Sequence, residues 1–205
     1  MIVKLDKVRK RFEHEWVIKD LTFTFTSGKA YAILGPNGSG KSTLMQLISG
    51  AVSPSVGTIS YSFDNKNIPV ENIFRQVSYS GPYIQLVEEM TLMEHIRFHK
   101  QFKPFRQNLH ENDILALTGL SHHADRQVRN FSSGMKQRVK LALSILSDTP
   151  ILLLDEPATN LDDAGLNWYL NLLVQHRLSR LVIVSSNRPE EYSFCDEQLS
   201  ILDYK

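Results

Sequence analysis

Nine consecutive residues carry the most specific chemistry in the chain: Gly35, Pro36, Asn37, Gly38, Ser39, Gly40, Lys41, Ser42 and Thr43. Gly35, Gly40, Lys41 and Ser42 fit the phosphate-loop pattern G-x-x-x-x-G-K-[ST]. Glycines let successive backbone N–H groups curl round a phosphate without a Cβ clash, and the helix that follows points the positive end of its dipole at the same anion. Lys41 is placed to reach the β- and γ-phosphates of a nucleoside triphosphate, and Ser42 to ligate Mg²⁺. A second grouping, Leu152-Leu153-Leu154-Asp155-Glu156-Pro157, is an apolar run ending in two carboxylates. Asp155 is expected to hold Mg²⁺ directly or through water, and Glu156, pointing differently, to orient a water for attack on the γ-phosphate. A third, Phe131-Ser132-Ser133-Gly134-Met135, is small and polar and opens an apolar helical run. It reads either as a second anion site, with free N–H groups and two hydroxyls, or as an ordinary helix cap formed by Ser132 or Ser133.

The elements that must position these groups are legible from periodicity. Tyr31 to Leu34 is the end of a buried strand feeding the loop, and Ser42 to Ile48 a short helix closed by Gly50. Upstream, Ile2 to Val8 and Leu21 to Phe25 alternate as β segments, and Thr58 to Phe63 follows the Pro54 and Gly57 punctuation. From Pro82 the pattern turns helical. Leu92, Ile96, Phe98 and Phe102 predict one face, ended by Pro104; Ile114, Leu115, Leu117 and Leu120 predict another; Met135 to Leu146 is apolar nearly all round and therefore buried. Ile151 to Leu154 and Leu181 to Ser185 are all-apolar strands flanking a helix from Asp163 to His176. Continuous apolar strands alternating with helices predict an α/β fold with a largely parallel sheet covered on both faces. The organisation expected is one domain over residues 1–205. Residues 1–81 and 149–205 form the nucleotide-binding core with an N-terminal antiparallel β subdomain, and 82–148 form an inserted α-helical subdomain.

Composition narrows the classes. A chain of 205 residues with 42% hydrophobic and 22% charged residues has the balance of an ordinary globular protein. A net charge of +1 with scattered basic residues argues against nucleic acid as a partner. The single cysteine, Cys195, excludes an internal disulfide and reads as a small buried hydrophobe. No apolar run approaches the roughly 18 residues a membrane span needs, and the N-terminus lacks a signal-peptide layout. A cytoplasmic protein is expected, any membrane connection being through a partner.

The phosphate loop, the segment Phe131 to Met135 followed by Lys136-Gln137-Arg138, the carboxylates after Leu154 and Asn160-Leu161-Asp162 stand in an order and spacing that resembles the ATP-binding cassette (ABC) ATPases, of a compact type similar to bacterial exporters. The resemblance covers essentially the whole chain. It implies a phosphate-loop NTPase core and ATP with Mg²⁺ as cofactors. It also implies a head-to-tail dimer with a second ABC subunit and a membrane permease as partner, the chain lying peripherally on the inner face of the membrane. ATP would lie between the loop of one subunit and Ser132, Ser133, Gly134 and Met135 of the other. Asp162 matches the aspartate of a loop crossing between the two sites. Phe12 stands where an aromatic stacks on adenine, with Trp16 as the alternative.

Two positions depart from the family pattern. Counting nine residues back from Thr91, where a glutamine is usual, lands on Pro82, which offers neither a donor nor a side-chain oxygen; Gln85 is the nearby candidate to replace it. After Val182-Ile183-Val184-Ser185-Ser186, the usual histidine is Asn187, which donates one neutral hydrogen bond and carries no proton in the reaction. These departures predict ATP binding with reduced turnover, or an ATP-gated dimerisation module that hydrolyses little; a soluble non-transport ATPase is the third reading. His95 and His99, one helical turn apart, read as a solvated face, and His122-His123 as a surface loop. Tyr83, Phe98, Phe102 and Phe105 divide between core and an exposed docking groove.

Overall fold

A computed structural model describes residues 1–205. The N-terminal third forms a four-stranded antiparallel sheet. Its strands are β1 (Ile2–Phe12), β2 (Glu15–Thr26), β4 (Val56–Phe63) and β5 (Lys66–Ile68), in the order β2-β1-β4-β5. The second sheet is five-stranded. It comprises β3 (Ala30–Leu34), β6 (Val77–Ser80), β7 (Ile151–Asp155), β8 (Leu181–Ser185) and β9 (Glu197–Ser200), in the order β6-β7-β8-β3-β9. All its pairings are parallel. Helices α1 (Lys41–Ile48), α2 (Leu92–Phe102), α3 (Glu111–Thr118), α4 (Ser133–Leu146), α5 (Asp163–His176) and the short α6 (Pro189–Tyr192) complete the chain. No helix is long and apolar enough to cross a membrane.

The central strands divide their side chains between two cores, because successive residues of a strand face opposite ways. Ile151, Leu153, Leu181 and Ile183 pack with α1 and with Val3, Leu5, Ile18 and Phe25 of the antiparallel sheet. Leu152, Leu154, Val182 and Val184 pack against α2 to α5. Continuous apolar runs are what such a doubly covered sheet requires, as the sequence predicts.

The structure corrects several element-level expectations. Strand β2 starts at Glu15 rather than Leu21. Register shifts along its pairing with β1, with Lys7 and Asp20 at positive φ, interrupt the period-two pattern on which the shorter expectation rested. Strands β5, β6 and β9 are short and mixed in polarity and left no periodic signal. Helix α2 does begin at Thr91, whose hydroxyl accepts from Glu94 N while the Glu94 carboxylate accepts from Thr91 N. Its buried face, however, runs through Leu92, His95 and Ile96; Phe98 and Phe102 are exposed, in edge-to-face contact at 5.0 Å. His95 and His99 are not a solvated face. His95 Nε2 accepts from Val87 N at 2.7 Å, and His99 Nε2 is 2.7 Å from Ser147 Oγ. Cys195 is partly buried, and burial pushes its thiol up to about 12.

Candidate functional site

Strand β3 lies between β8 and β9, so Leu34 emerges from inside the sheet, one strand in from its edge, and the loop that follows opens at the strands' carboxyl ends. Gly40 caps α1 with φ 95°, and a Cβ there would come within 2.7 Å of Val17 Cγ1, so both the turn and the close packing of β2 require glycine. Lys41 is buried, and its ammonium donates to the carbonyls of Gly35 (2.7 Å) and Pro36 (3.2 Å), which holds the charge at the mouth of its own loop. The cavity in front of the loop is about 450 Å³. Asn37, Gly38, Gly40, Lys41, Ser42 and Thr43 form one wall, and Phe12, Val17, Pro82, Tyr83 and Glu156 the rest. Phe12 is about half exposed at this cavity, as a base-stacking ring must be, with the Lys10 ammonium 4.9 Å from its centroid. Trp16 pairs instead with the Arg11 guanidinium and is not part of the cavity wall.

Of the two carboxylates, Glu156 lines the cavity and Asp155 does not. Asp155, the last residue of β7, is 1% exposed. Its Oδ2 accepts from the Tyr79 hydroxyl at 3.3 Å, while Oδ1 has no hydrogen-bond partner. The Ser80 and Ser185 hydroxyls, at the ends of β6 and β8, are also buried without partners. A bare buried carboxylate oxygen is costly unless something compensates it. A hard divalent cation does so, and oxygen donors of this kind fit Mg²⁺. Burial, and then the Asp155 charge, raise the Tyr79 phenol above its ordinary range, so it remains a donor. Glu156 follows with φ 48°, an uncommon conformation for a residue with a side chain, fixed by its N–H donating to Ser185 O at 2.8 Å. The twist sends Glu156 into the cavity while Asp155 stays behind it. Helix α4 supports the turn, buried Gln137 donating to Pro157 O at 2.6 Å.

Asn187 is brought to the loop: its Nδ2 donates to Asn37 Oδ1 at 2.8 Å. Gln85 is not. It lines a separate cavity of about 180 Å³ with His95, Phe98 and Lys140, while Pro82 and Tyr83 face the phosphate cavity. Gln85 thus lines none of the phosphate cavity that Pro82 faces.

Ser132 caps α4, its hydroxyl accepting from Met135 N at 3.2 Å. Asp162 caps α5, accepting from Gly165 N at 2.7 Å. Ser132, Ser133, Gly134, Met135 and Asp162 line a cavity of about 370 Å³ that shares no residue with the phosphate cavity. Sequence reasoning missed Val17, Tyr79 and Tyr83. Val17 carries no chemical signal; the tyrosines sit in and just beyond a four-residue strand that periodicity does not reveal.

Known proteins are similar to this chain in sequence and in fold. The family model described as ABC transporter matches residues 18–159. The ABC transporter ATP-binding protein NatA of Bacillus subtilis (strain 168) is 31% identical, the match covering 98% of this chain and 85% of NatA. The ABC transporter ATP-binding protein YybJ of the same organism is 28% identical over 98% of this chain and 92% of its own. In fold, the chain resembles the ATP-binding cassette MJ0796, whose solved structure is a dimeric post-hydrolysis state bound to ADP and Pi. The TM-score is 0.81 at 23% identity, over 97% of this chain and 93% of that one.

Proposed function

The chain belongs to the ABC transporter family as an ATP-binding, ATPase-type subunit, and from that premise we propose that it hydrolyses ATP with Mg²⁺ at the loop cavity, in a head-to-tail pair, to drive a membrane permease. The observation that carries this reading is the convergence of Lys41, Ser42 and Glu156 on one cavity, with the bare Asp155 oxygen behind it. Adenine stacks on Phe12, and the amides from Gly38 to Thr43 and the Lys41 ammonium take the phosphates. Ser42 and Asp155 would hold Mg²⁺, which when bound would supply positive charge against the charge that develops on the phosphate. Glu156 accepts a hydrogen bond from the attacking water and aligns it with the γ-phosphate. Asn187, tethered to Asn37, offers an amide hydrogen at the cavity's edge.

The separation of the two cavities supports a pair of subunits. Ser133 and Gly134 lie in a different cavity from Lys41, so within one chain they line no part of the nucleotide cavity; a second copy turned head to tail delivers them to the γ-phosphate. The exposed edge formed by Phe98, 71% exposed Phe102 and Ile84, beside the Gln85 cavity, suits an amphipathic helix of the permease. That docking would keep the chain peripheral on the cytoplasmic face of the membrane. Pro82 and Asn187 both remove groups that act on the terminal phosphate, which favours slow turnover, or an ATP-gated clamp as the second reading.

Mg²⁺-dependent ATP turnover, with gel filtration in ATP, tests the proposal. Wild type should turn over, and Glu156→Gln should lose roughly 10²-fold or more while still binding ATP and accumulating as a dimer. Turnover unchanged by Glu156→Gln would overturn the assignment of the attacking-water role. Copurification with nucleic acid rather than a permease would overturn the transport role.

A further inference from the structure

The carboxylate that receives the metal is itself held by a residue to which the sequence points in no way. Tyr79 lies on β6, whose parallel pairing with β7 sets Tyr79 beside Leu153 and Ser80 beside Leu154, one residue short of Asp155. Its backbone is fixed from the other side, since Ser144 Oγ of α4 donates to Tyr79 O at 3.2 Å. The hydroxyl then donates to Asp155 Oδ2 at 3.3 Å, leaving Oδ1 without a partner. Two residues on, Gly81 has no positive φ, so backbone conformation does not demand glycine there. Space does: a Cβ at 81 would stand 3.1 Å from Tyr79 Oη, 3.2 Å from Tyr79 Cζ and 3.3 Å from Asp155 Cβ.

We propose that Tyr79 is the positioning residue of the metal-holding carboxylate: its phenol commits Asp155 Oδ2 and so presents Oδ1 to the divalent cation, with Gly81 kept small to let the two side chains meet. The inference rests on the Mg²⁺ reading of Asp155 given above. A carboxylate with two unbonded oxygens can rotate about its terminal bond, and one tethered oxygen fixes where the other points. Partners of metal ligands typically change metal affinity by 10- to 100-fold when removed.

The test is the gain in affinity for a fluorescent ATP analogue when Mn²⁺ replaces EDTA, measured on the full chain without reference to turnover. Asp155→Asn should abolish the gain. Tyr79→Phe, which keeps the ring and loses only the hydroxyl, should cut it about tenfold, with affinity in EDTA and the melting temperature little changed. Gly81→Ala should act in the same direction by crowding the contact. A Tyr79→Phe gain within about twofold of wild type, while Asp155→Asn has lost it, would overturn the role of Tyr79 alone. Equal loss of affinity in EDTA and in Mn²⁺ would make Tyr79 a packing residue and also overturn it. A wild-type gain in Asp155→Asn would overturn the metal site and the proposal together.

Discussion

The two ends of the parallel sheet hold comparable sets of buried polar side chains and treat them in opposite ways. At the amino ends of β6, β7 and β8, Ser78 and Thr149 share a hydrogen bond of 2.7 Å. Arg180 reaches over them to donate to Thr149 Oγ1 (2.8 Å) and Ile145 O (2.6 Å). Ser147 donates to Leu143 O and bonds His99, and Lys103 donates to Val77 O. At the carboxyl ends, Ser80 Oγ, Ser185 Oγ, Asp155 Oδ1 and, in the phosphate loop, Ser39 Oγ are buried with nothing to bond, and Glu156 sits at positive φ. One end spends its polarity on the protein, Arg180 Nε being the one atom of that set left bare, and is structural. The other leaves oxygens bare and backbone strained, which is the cost a site bears in order to be ready for its ligand.

Substitution can sharpen or break that contrast. The largest effect is expected at Asp155→Asn. Metal-dependent turnover should fall by roughly 10³-fold or more while the melting temperature holds or rises, because a buried charge without a full set of partners has been removed. A fall in melting temperature of several degrees would show that the carboxylate is structural and erase the distinction. Next, Arg180→Ala strands Ile145 O and takes one of the partners of Thr149 Oγ1 at the other end, and should cost about 3 kcal/mol of stability, read as a lower urea midpoint, with ATP affinity unchanged.

Third comes acid sensitivity at the structural end. Burial, and then the charge of Lys103 and the neighbouring His95, lower His99 from 6.5 to about 4. Its folded-state value lies below its unfolded one, so the unfolded chain binds the extra proton. The stability this neutral imidazole contributes is complete above about pH 6.5 and is lost as pH falls toward 4. After allowance for its partial exposure the loss is about 2 kcal/mol, and His99→Gln should flatten the urea midpoint over that window. The smallest effect is at Asn187→His, which should raise kcat about tenfold if the amide beside Asn37 is a poorer partner for the terminal phosphate than an imidazole. An unchanged kcat would mean that the Asn37–Asn187 clasp already supplies what the reaction needs.

How much was readable beforehand follows the range of the interactions. The phosphate loop, Asp155 and Glu156 were legible because each is a local pattern: a loop and its helix, or a strand and the residues just past it. The outward turn of Phe98 and Phe102 was not, because α2 buries the face that meets α3 and α4, and a run of apolar residues at helical spacing does not say which of them that is. Gln85 was a candidate by its distance along the chain and Tyr83 was grouped with the aromatics of the helical insertion, whereas the turn after β6 sends Tyr83 to the phosphate cavity and Gln85 away from it.

By itself, the sequence determined the α/β class, the nucleotide loop and its carboxylates, and membership in a family whose motifs recur in fixed order, since all of these depend on residues adjacent in the chain or on strand and helix periods. Only the tertiary structure decided that Asn187 clasps Asn37 across 150 residues. It likewise decided that Tyr79 holds Asp155, that Gly81 is small for their sake, and that Ser132 to Met135 line a cavity separate from that of the phosphate loop. Those facts depend on which strand ends lie side by side in a parallel sheet, and strand order is set by the packing of two cores against its faces rather than by any local run of residues.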